Sequence, residues 1–563
     1  MYLRETTQSR VKGQKVTYLQ LAENTWNAEK KRSETRVVCN LGRGEDAAVR
    51  ERLKRLAHSI LKRLSPEDLT GELKDWRVVD SWSFGDVYVM EELWERLGIK
   101  DILRSRAATR KFGFSVERAL FAMVCNRTLA PSSKLYCWEQ WLREDVLIDR
   151  TRDLELHHLY RAMDFLEANR EELEWQVYRK MRDLFNLDVE VIFYDTTSLH
   201  FEIDEEDQGS TNEEASQGVP DSEQKQYPPL RKRGHSKNGR SDAPQIVIGL
   251  AVTREGFPIR HWVFPGNTVD VSTVKQVKSD LRGWRLSSCV FVGDAGMVSE
   301  DNLRTLALGG GKYIVCSPVS SGSEVDRDVL SRPGRFKEVA GNLRVKEVTI
   351  GDGARARRYV VCHNPEEEKK QSSHRAELLR HLEAELASLS HREGEPFSRR
   401  MCELRASRRY GKYLRTTKTG GLEIDPAKVK MAARTDGKFV VRSNDETLTS
   451  EDMALGYKQL QRVEEAWRTL KSGLKLRPVF HWAPHRIHAH VAIAVLGLLL
   501  ERVAEHACGD SWRNIRDDLK GIKLAQLSGP VGDVWQVTEP KPSAHKRLKS
   551  LHIKSPPAVL RVV

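Results

Sequence analysis

VIFYDTTSLHFE, residues 191–202, is apolar up to Tyr194 and then meets an aspartate. The β-branched and aromatic run predicts a buried strand. An ionised carboxylate at the end of such a strand is costly to desolvate unless it is paired or holds a cation. Asp195 alone is equally an ordinary turn cap, so its meaning depends on partners further along. CVFVGD, residues 289–294, repeats the situation: Asp294 ends a second apolar run and is followed by Ala-Gly. The 99 residues between the two aspartates leave room for a hairpin and a crossover helix. Two strands of one sheet then present both carboxylates at a common edge.

A third acid lies in GYKQLQRVEEAWRTLKSGL, residues 456–474. Leu460, Val463, Trp467, Leu470 and Leu474 recur at helical spacing and form the stripe that must be buried. At about 100° per residue, Glu464 falls beside that stripe together with Tyr457 and Lys471, while Glu465 points to solvent. The bland alternative is a surface pair between Glu464 and Arg468, four residues on. Three carboxylates meeting at one sheet edge suit hard divalent cations, because magnesium takes oxygen ligands and keeps several waters. Two such ions about 4 Å apart activate an attacking oxygen and stabilise a leaving oxygen in phosphodiester displacement.

The bulk properties agree with a polyanionic substrate. The 563 residues carry a formal charge of +13, with an isoelectric point near 9.2 and a mean hydropathy of −0.55. Such an excess fits nucleic acid, although basic charge also serves solubility. The longest apolar run, Val491–Leu500, is too short to cross a bilayer. The start, MYLRETTQSRVKGQK, lacks the apolar core of a signal peptide. Eight cysteines without a CxxC pair read as reduced thiols. The expectation is a soluble cytoplasmic protein with no membrane partner.

At Asp195, Asp294 and Glu464 the sequence resembles the DDE transposases of bacterial insertion sequences. It is most similar to the insertion-sequence-four-like superfamily, whose glutamate sits in a Tyr-x2-Arg-x3-Glu-x6-Lys motif. Tyr457, Glu464 and Lys471 match at that spacing, and Leu460 stands where the motif has arginine, with Arg462 or Arg468 nearby as replacements. GHSKNGRSDAPQIVIGLAV, FPGNTVD and LRPVFHWAPHRIHAHV carry the same likeness. The resemblance implies an α/β, ribonuclease-H-like catalytic core interrupted by an insertion domain and preceded by a mainly helical N-terminal region. It implies metal-dependent cleavage at transposon ends and strand transfer by the freed 3′-hydroxyl. Asp195, Asp294 and Glu464 would be catalytic and hold two Mg2+ ions, with Mn2+ as an alternative. Tyr457, Lys471, Arg468 and Arg462 would contact DNA. The implied partners are double-stranded DNA, as terminal inverted repeats and target, and a second copy of the chain in a synaptic homodimer; the implied setting is the bacterial nucleoid.

Five segments follow. Residues 1–185 read as the mainly helical region, opening with a small strand pair, with DNA binding as its role. Residues 186–317 hold the first part of the core, and 318–431 a charged insertion, because 170 residues separate Asp294 from Glu464. The core resumes over 432–510, and 511–563 reads as a basic tail. The polar stretch between the first strand and the next hairpin reads as a loop ending in the basic run LRKRGHSKNGR, either solvated or in contact with phosphate. His481, His485, His488 and His490 lack cysteine or acidic partners at ligand spacing and read as polar packing at a helix start. GGGK at 309–312 reads as a turn. Asn267 and Asp270 read as a helix cap, with a direct role in the site as the alternative. Two other functions remain open: a catalytically inactive, transposase-derived DNA-binding protein, and a nuclease of the same fold without strand transfer.

Overall fold

The structure is a computed structural model, and it describes residues 2–9, 15–27, 31–61, 76–187, 189–208, 227–237, 239–286, 288–319, 323–353, 356–389, 395–407, 409–418, 420–529 and 532–562. The centre of the acidic loop, 209–226, lies outside the described residues. In chain order the strands are β1 (Tyr2–Ser9), β2 (Lys15–Asn27), β3 (Arg32–Arg43), β4 (Arg77–Ser83), β5 (Val191–His200), β6 (Gln245–Val252), β7 (Pro258–Pro265), β8 (Val290–Gly293) and β9 (Lys312–Ser317). They continue as β10 (Lys337–Ala340), β11 (Leu343–Ile350), β12 (Arg357–His363), β13 (Leu414–Thr416), β14 (Leu422–Ile424), β15 (Lys438–Ser443), β16 (Lys523–Gly529), β17 (Gly532–Val537) and β18 (Val559–Val562).

Contacts divide the chain into two units. The first comprises Met1–Ser81, Leu524–Thr538 and Pro557–Val563. Its strands β1, β2 and β3 form an antiparallel sheet, in which Leu19 and Ala22 of β2 are buried. The strand pair expected at the start of 1–185 is a full three-stranded sheet, and helices predominate in the described residues that follow it. The expectation of a basic tail over 511–563 is corrected. Strands β16, β17 and β18 join β4 in a second sheet ordered β18-β17-β16-β4, because Leu524, Trp535 and Val537 need an apolar face to bury.

The second unit comprises Trp82–Lys523 and Glu539–Pro556. Basic residues at its end are held by acids rather than left to solvent: Arg547 lies 2.6 Å from Asp510 and 2.8 Å from Asp518. Helix Val116–Leu129 is buried almost throughout. It tolerates Glu117 and Arg118 inside because they pair at 2.6 Å and Trp94 donates to Glu117 at 2.9 Å. Helix Pro484–Cys508 packs on it and on helix Leu156–Leu184. By length and composition alone Pro484–Cys508 could cross a membrane, yet 94% of its apolar window is buried inside the protein. It is the central core helix.

The large sheet is ordered β10-β11-β12-β15-β9-β8-β5-β6-β7. Strands β5, β8 and β9 run parallel at its middle, and every other pairing is antiparallel. The buried stripe read from the sequence, Leu460, Val463, Trp467, Leu470 and Leu474, packs with Phe193, Ile248, Val292 and Leu498 in one core. The 318–431 segment is not wholly an insertion. Strands β10, β11 and β12 extend the large sheet: β12 buries Tyr359–Cys362 on both faces, with Val360 and Cys362 in one cluster and Tyr359 and Val361 in another, and Leu343, Val345 and Val348 of β11 are buried beside it. The helices Pro365–Leu389 and Pro426–Arg434, with β13 and β14, enclose an apolar cluster of their own that includes Leu378, Leu382, Tyr413 and Leu414.

Gly266 is required by close approach. A Cβ there would lie 1.9 Å from the Gln245 carbonyl oxygen and 2.2 Å from that of Lys232. This contact seats the basic 230–237 stretch against the start of β6, where Lys232 and Gln245 exchange backbone hydrogen bonds of 3.1 and 3.0 Å.

Candidate active site

Strands β5 and β8 pair in parallel, with Phe193 opposite Val292 as their last couple. Asp195 and Asp294 stand two residues beyond that couple on their respective chains, so the sheet edge brings them side by side. Burial pushes the Asp195 carboxyl up to about 6, and the neighbouring Asp294 and Asp270 carboxylates add to the rise while Lys237 opposes it. Its side chain keeps 20% exposure. Tyr457 donates from Oη to Asp294 Oδ1 at 3.0 Å. Burial first, then Cys316 and Asp294, push the Tyr457 phenol far above its ordinary range, so it remains a donor. Lys471 is also in this field: burial and the charges of Arg477 and Lys237 lower its ammonium, while Asp195 opposes them.

Two residues outside the expected acids belong to the site: Lys237, from the basic run, and Asp270, for which a direct role is the alternative to a helix cap. Lys237, within the basic run, reaches Asp270 at 2.9 Å and Asp195 at 3.9 Å. Its Nζ also donates to the Thr196 carbonyl and hydroxyl oxygens at 2.8 and 2.7 Å. Its backbone N–H, bonded to Ser198 Oγ at 2.9 Å, fixes the approach to β5. Asp270 opens helix Asp270–Gly283, and its side chain accepts from Thr196 Oγ1 instead of capping the helix. The usable signals were a lysine in a basic run near the strand and an acid just after a hairpin. Neither separates a site residue from a surface one without the fold.

Glu464 lies on helix Gln461–Arg468, which packs against β5. Its side chain is exposed, and among the described residues no three His, Cys, Asp or Glu side chains sit close enough together to hold a metal ion. The expected single helix over 456–474 is interrupted. Ser450–Lys458 ends, Gln461–Arg468 begins, and Thr469–Gly473 widens into a π-helical turn. At the junction Leu460 N–H bonds the Tyr457 carbonyl at 2.9 Å and Arg462 N–H bonds that of Gln459 at 2.9 Å. These i→i+3 turns advance about 120° per residue rather than 100°, so the phase carried from Tyr457 to Glu464 is lost. Leu460 drives the tight turn, being 6% exposed within the core. Glu465, expected toward solvent, is the more buried of the two and accepts from Gln461 at 3.1 Å and Arg462 at 3.4 Å. Arg462 and Arg468 are exposed.

The histidines are held separately. His485 lies 3.1 Å from Asp164, His488 3.8 Å from Glu167, and His490 3.1 Å from the Leu476 carbonyl oxygen. No disulfide joins any of the eight cysteines.

Residues 212–500, more than half of the chain, match the family model of the transposase DDE domain. The chain is a DDE transposase. Residues 3–72 of this transposase match the N-terminal domain of IS1634 family transposases. Asp294, Tyr457, Glu464 and Lys471 lie inside the DDE match, and Asp195 precedes its first residue. The transposase is an enzyme of DNA transposition, cleaving DNA and transferring strands, and its class uses divalent metal ions. No curated protein matches the chain. Among solved structures, a piggyBac transposase synaptic complex with hairpin DNA aligns at 12% identity over 78% of this chain and 80% of that one, with a TM-score of 0.33. A Mos1 transposase paired-end complex with left transposon end aligns at 10% identity over 38% and 63%, with a TM-score of 0.14. Neither likeness is close enough to bear on how this transposase works.

Proposed function

We propose that this transposase uses Asp195, Asp294 and Glu464 as its catalytic acids and that it belongs to the insertion-sequence-four-like group with the Tyr-Arg-Glu-Lys type motif. The reading is carried by one observation: Asp195, within β5, and Asp294, directly after β8, each lie two residues beyond the last couple of this parallel pair, and Tyr457 and Lys471 lie around them. The mixed sheet, an antiparallel meander leading into parallel strands, supports a ribonuclease-H-like core over 186–317 and 432–510. The separate apolar cluster around Leu378 and Tyr413 supports an inserted domain within 318–431.

The donor set suits a hard divalent cation. Two carboxylates side by side repel one another, and a lysine ammonium already sits beside them as a cation would. Asp195 and Asp294 would hold Mg2+, or Mn2+ as an alternative, in a two-ion site that Glu464 completes once DNA is bound. The ions would supply activation of the attacking oxygen and stabilisation of the leaving one. The chain's own side chains do the remainder. Tyr457 holds Asp294 in one orientation, and Lys471 and Lys237 place positive charge where a scissile phosphate must sit.

The substrate is double-stranded DNA: the terminal inverted repeats and a target, brought together by a homodimer in the bacterial cytoplasm at the nucleoid. Residues 1–185 would contribute DNA contacts, and exposed Arg462 and Arg468 suit the same backbone. The test is strand transfer with purified protein, magnesium and DNA bearing the element's ends. Asp195→Asn, Asp294→Asn and Glu464→Gln should each abolish joined product while retaining DNA binding. If Glu464→Gln joined strands at the unsubstituted rate, the third ligand would lie elsewhere.

A further inference from the structure

Asp270 reaches both of the chain segments that carry the expected aspartates. Its Oδ1 accepts from the Oγ1 hydroxyl of Thr196, the residue after Asp195. Its Oδ2 lies against the turn after β8, where a Cβ on Gly296, two residues past Asp294, would stand 3.3 Å from it. The same Oδ2 pairs with Lys237 Nζ at 2.9 Å. The carboxylate has a fixed frame. It opens a 14-residue helix, and its backbone carbonyl accepts from Thr273 Oγ1 at 2.8 Å. Thr273 Oγ1 in turn accepts from Tyr194 Oη at 3.0 Å, and Tyr194, Thr196 and Thr273 are all buried.

Lys237 stands within ion-pair reach of two acids, and hydrogen bonding chooses between them. Its ammonium meets Asp270 Oδ2 at 2.9 Å, the Thr196 carbonyl oxygen at 2.8 Å and Thr196 Oγ1 at 2.7 Å. Those three acceptors match the three N–H donors of a lysine. Asp195 Oδ1, at 3.9 Å, is beyond hydrogen-bonding reach and feels only the charge. Asp195 therefore shares the field of the ammonium without giving up an oxygen to it. Were Asp270 uncharged, Asp195 would be the remaining carboxylate within ion-pair reach of Lys237 among the described residues.

We propose that Asp270 is a positioning residue for the metal site: it holds the Lys237 ammonium on its own carboxylate and on Thr196, and so keeps Asp195 open to a divalent cation. This rests on the reading of Asp195 as a metal ligand. Without the Asp270 charge the ammonium moves to Asp195 and competes with the ion for its oxygens. With that charge in place, Lys237 opposes the ion only through space and stays beside it as a fixed positive group.

Two effects of removing the Asp270 charge have to be separated. A lost negative charge weakens cation binding directly, and that loss adds to the gain from removing Lys237. A released ammonium is a coupled effect, which appears as non-additivity in a double-mutant cycle.

The experiment uses full-length, metal-stripped protein and Mn2+ alone, with bound ion read by electron paramagnetic resonance. The unsubstituted protein, Lys237→Met, Asp270→Asn and the double variant form the cycle. Asparagine keeps the Oδ1 acceptor for Thr196 and removes the charge, so unchanged Mn2+ affinity in Asp270→Asn would make Asp270 merely structural and overturn the proposal. The expected result is Mn2+ binding weaker by about tenfold in Asp270→Asn. Adding Lys237→Met should then recover it by a larger factor than Lys237→Met gains in the otherwise unsubstituted protein. Equal factors in the two backgrounds overturn the proposal, because Asp270 then acts by charge alone. A loss that Lys237→Met does not recover at all also overturns it and makes Asp270 a direct metal ligand. If Asp270→Asn does not fold, Thr196→Val removes the hydroxyl shared by Asp270 and Lys237 and runs the same cycle with the same expected sign. Asp195→Asn separates this proposal from the reading beneath it. If that variant binds Mn2+ as tightly as the unsubstituted protein, the assignment of Asp195 fails and the proposal with it. If it loses Mn2+ while the two factors are equal, the proposal alone fails.

Discussion

Lys237 Nζ sits 2.9 Å from Asp270, forming an ion pair laid across β5 with Asp195 only 3.9 Å from the same nitrogen. In the metal-free protein this ammonium offsets carboxylates that would otherwise repel. Removing it should cost about 1 kcal/mol, a modest value because Lys237 is 34% exposed. Lys237→Met is therefore expected to lower Tm without metal and to show a larger Tm rise than the unsubstituted protein when MgCl2 is added. Thermal unfolding with and without magnesium checks this. Equal magnesium shifts in both proteins would mean that Lys237 and the metal do not share the site.

Tyr457 holds Asp294 through one hydrogen bond of 3.0 Å. A neutral-to-charged bond of this kind is worth roughly 1.5–3 kcal/mol, and about 1.4 kcal/mol is tenfold in rate. Tyr457→Phe should slow strand transfer by about tenfold or more with DNA affinity unchanged. A variant that lost DNA affinity but joined bound DNA at the normal rate would make Tyr457 a DNA contact instead.

Asp195 carries a pH signature. Its carboxyl is pushed up to about 6 from an ordinary value of 3.8, so folding binds this proton more tightly than unfolding. The stability it supports is present below its unfolded value and lost as pH rises through 6. Above that, ionised Asp195 weighs against the metal-free fold by at most about 3 kcal/mol. Asp195→Asn should raise the Tm of metal-free protein at pH 8 by several degrees and at pH 4 by little. The same Tm gain at both pH values would refute a burial-driven shift.

Leu460 occupies the position where the family motif has arginine, and it is 6% exposed in the core. Leu460→Arg would restore the motif's letters but bury an unpaired charge, so a loss of roughly 3 kcal/mol is expected. Urea unfolding should show a lower midpoint. An unchanged midpoint would mean that the turn at 459–460 opens to let the guanidinium reach solvent.

The sequence by itself determined the core stripe and the end of β8 at Asp294, whereas β5 runs on past Asp195 to His200. An apolar run that stops at Asp195 or Asp294 has few places to put its carboxylate, and Leu460, Val463, Trp467, Leu470 and Leu474 had to face inward because nothing else balances their transfer from water. The strands β10, β11 and β12 escaped a coarse reading because charged residues surround and interrupt short apolar runs such as Tyr359–Cys362, and charge density along the segment masks them. That Lys237 and Asp270 pair with one another was not legible, because they are brought to β5 by the Gly266 contact and the Ser198 and Thr196 hydrogen bonds. The expected single helix around Glu464 is broken by a tight turn before its helix and a π-helical turn after it. Periodicity assumes a constant rotation per residue. Packing of Leu460 and its neighbours sets the true rotation, and that is a property of the whole core rather than of the local letters.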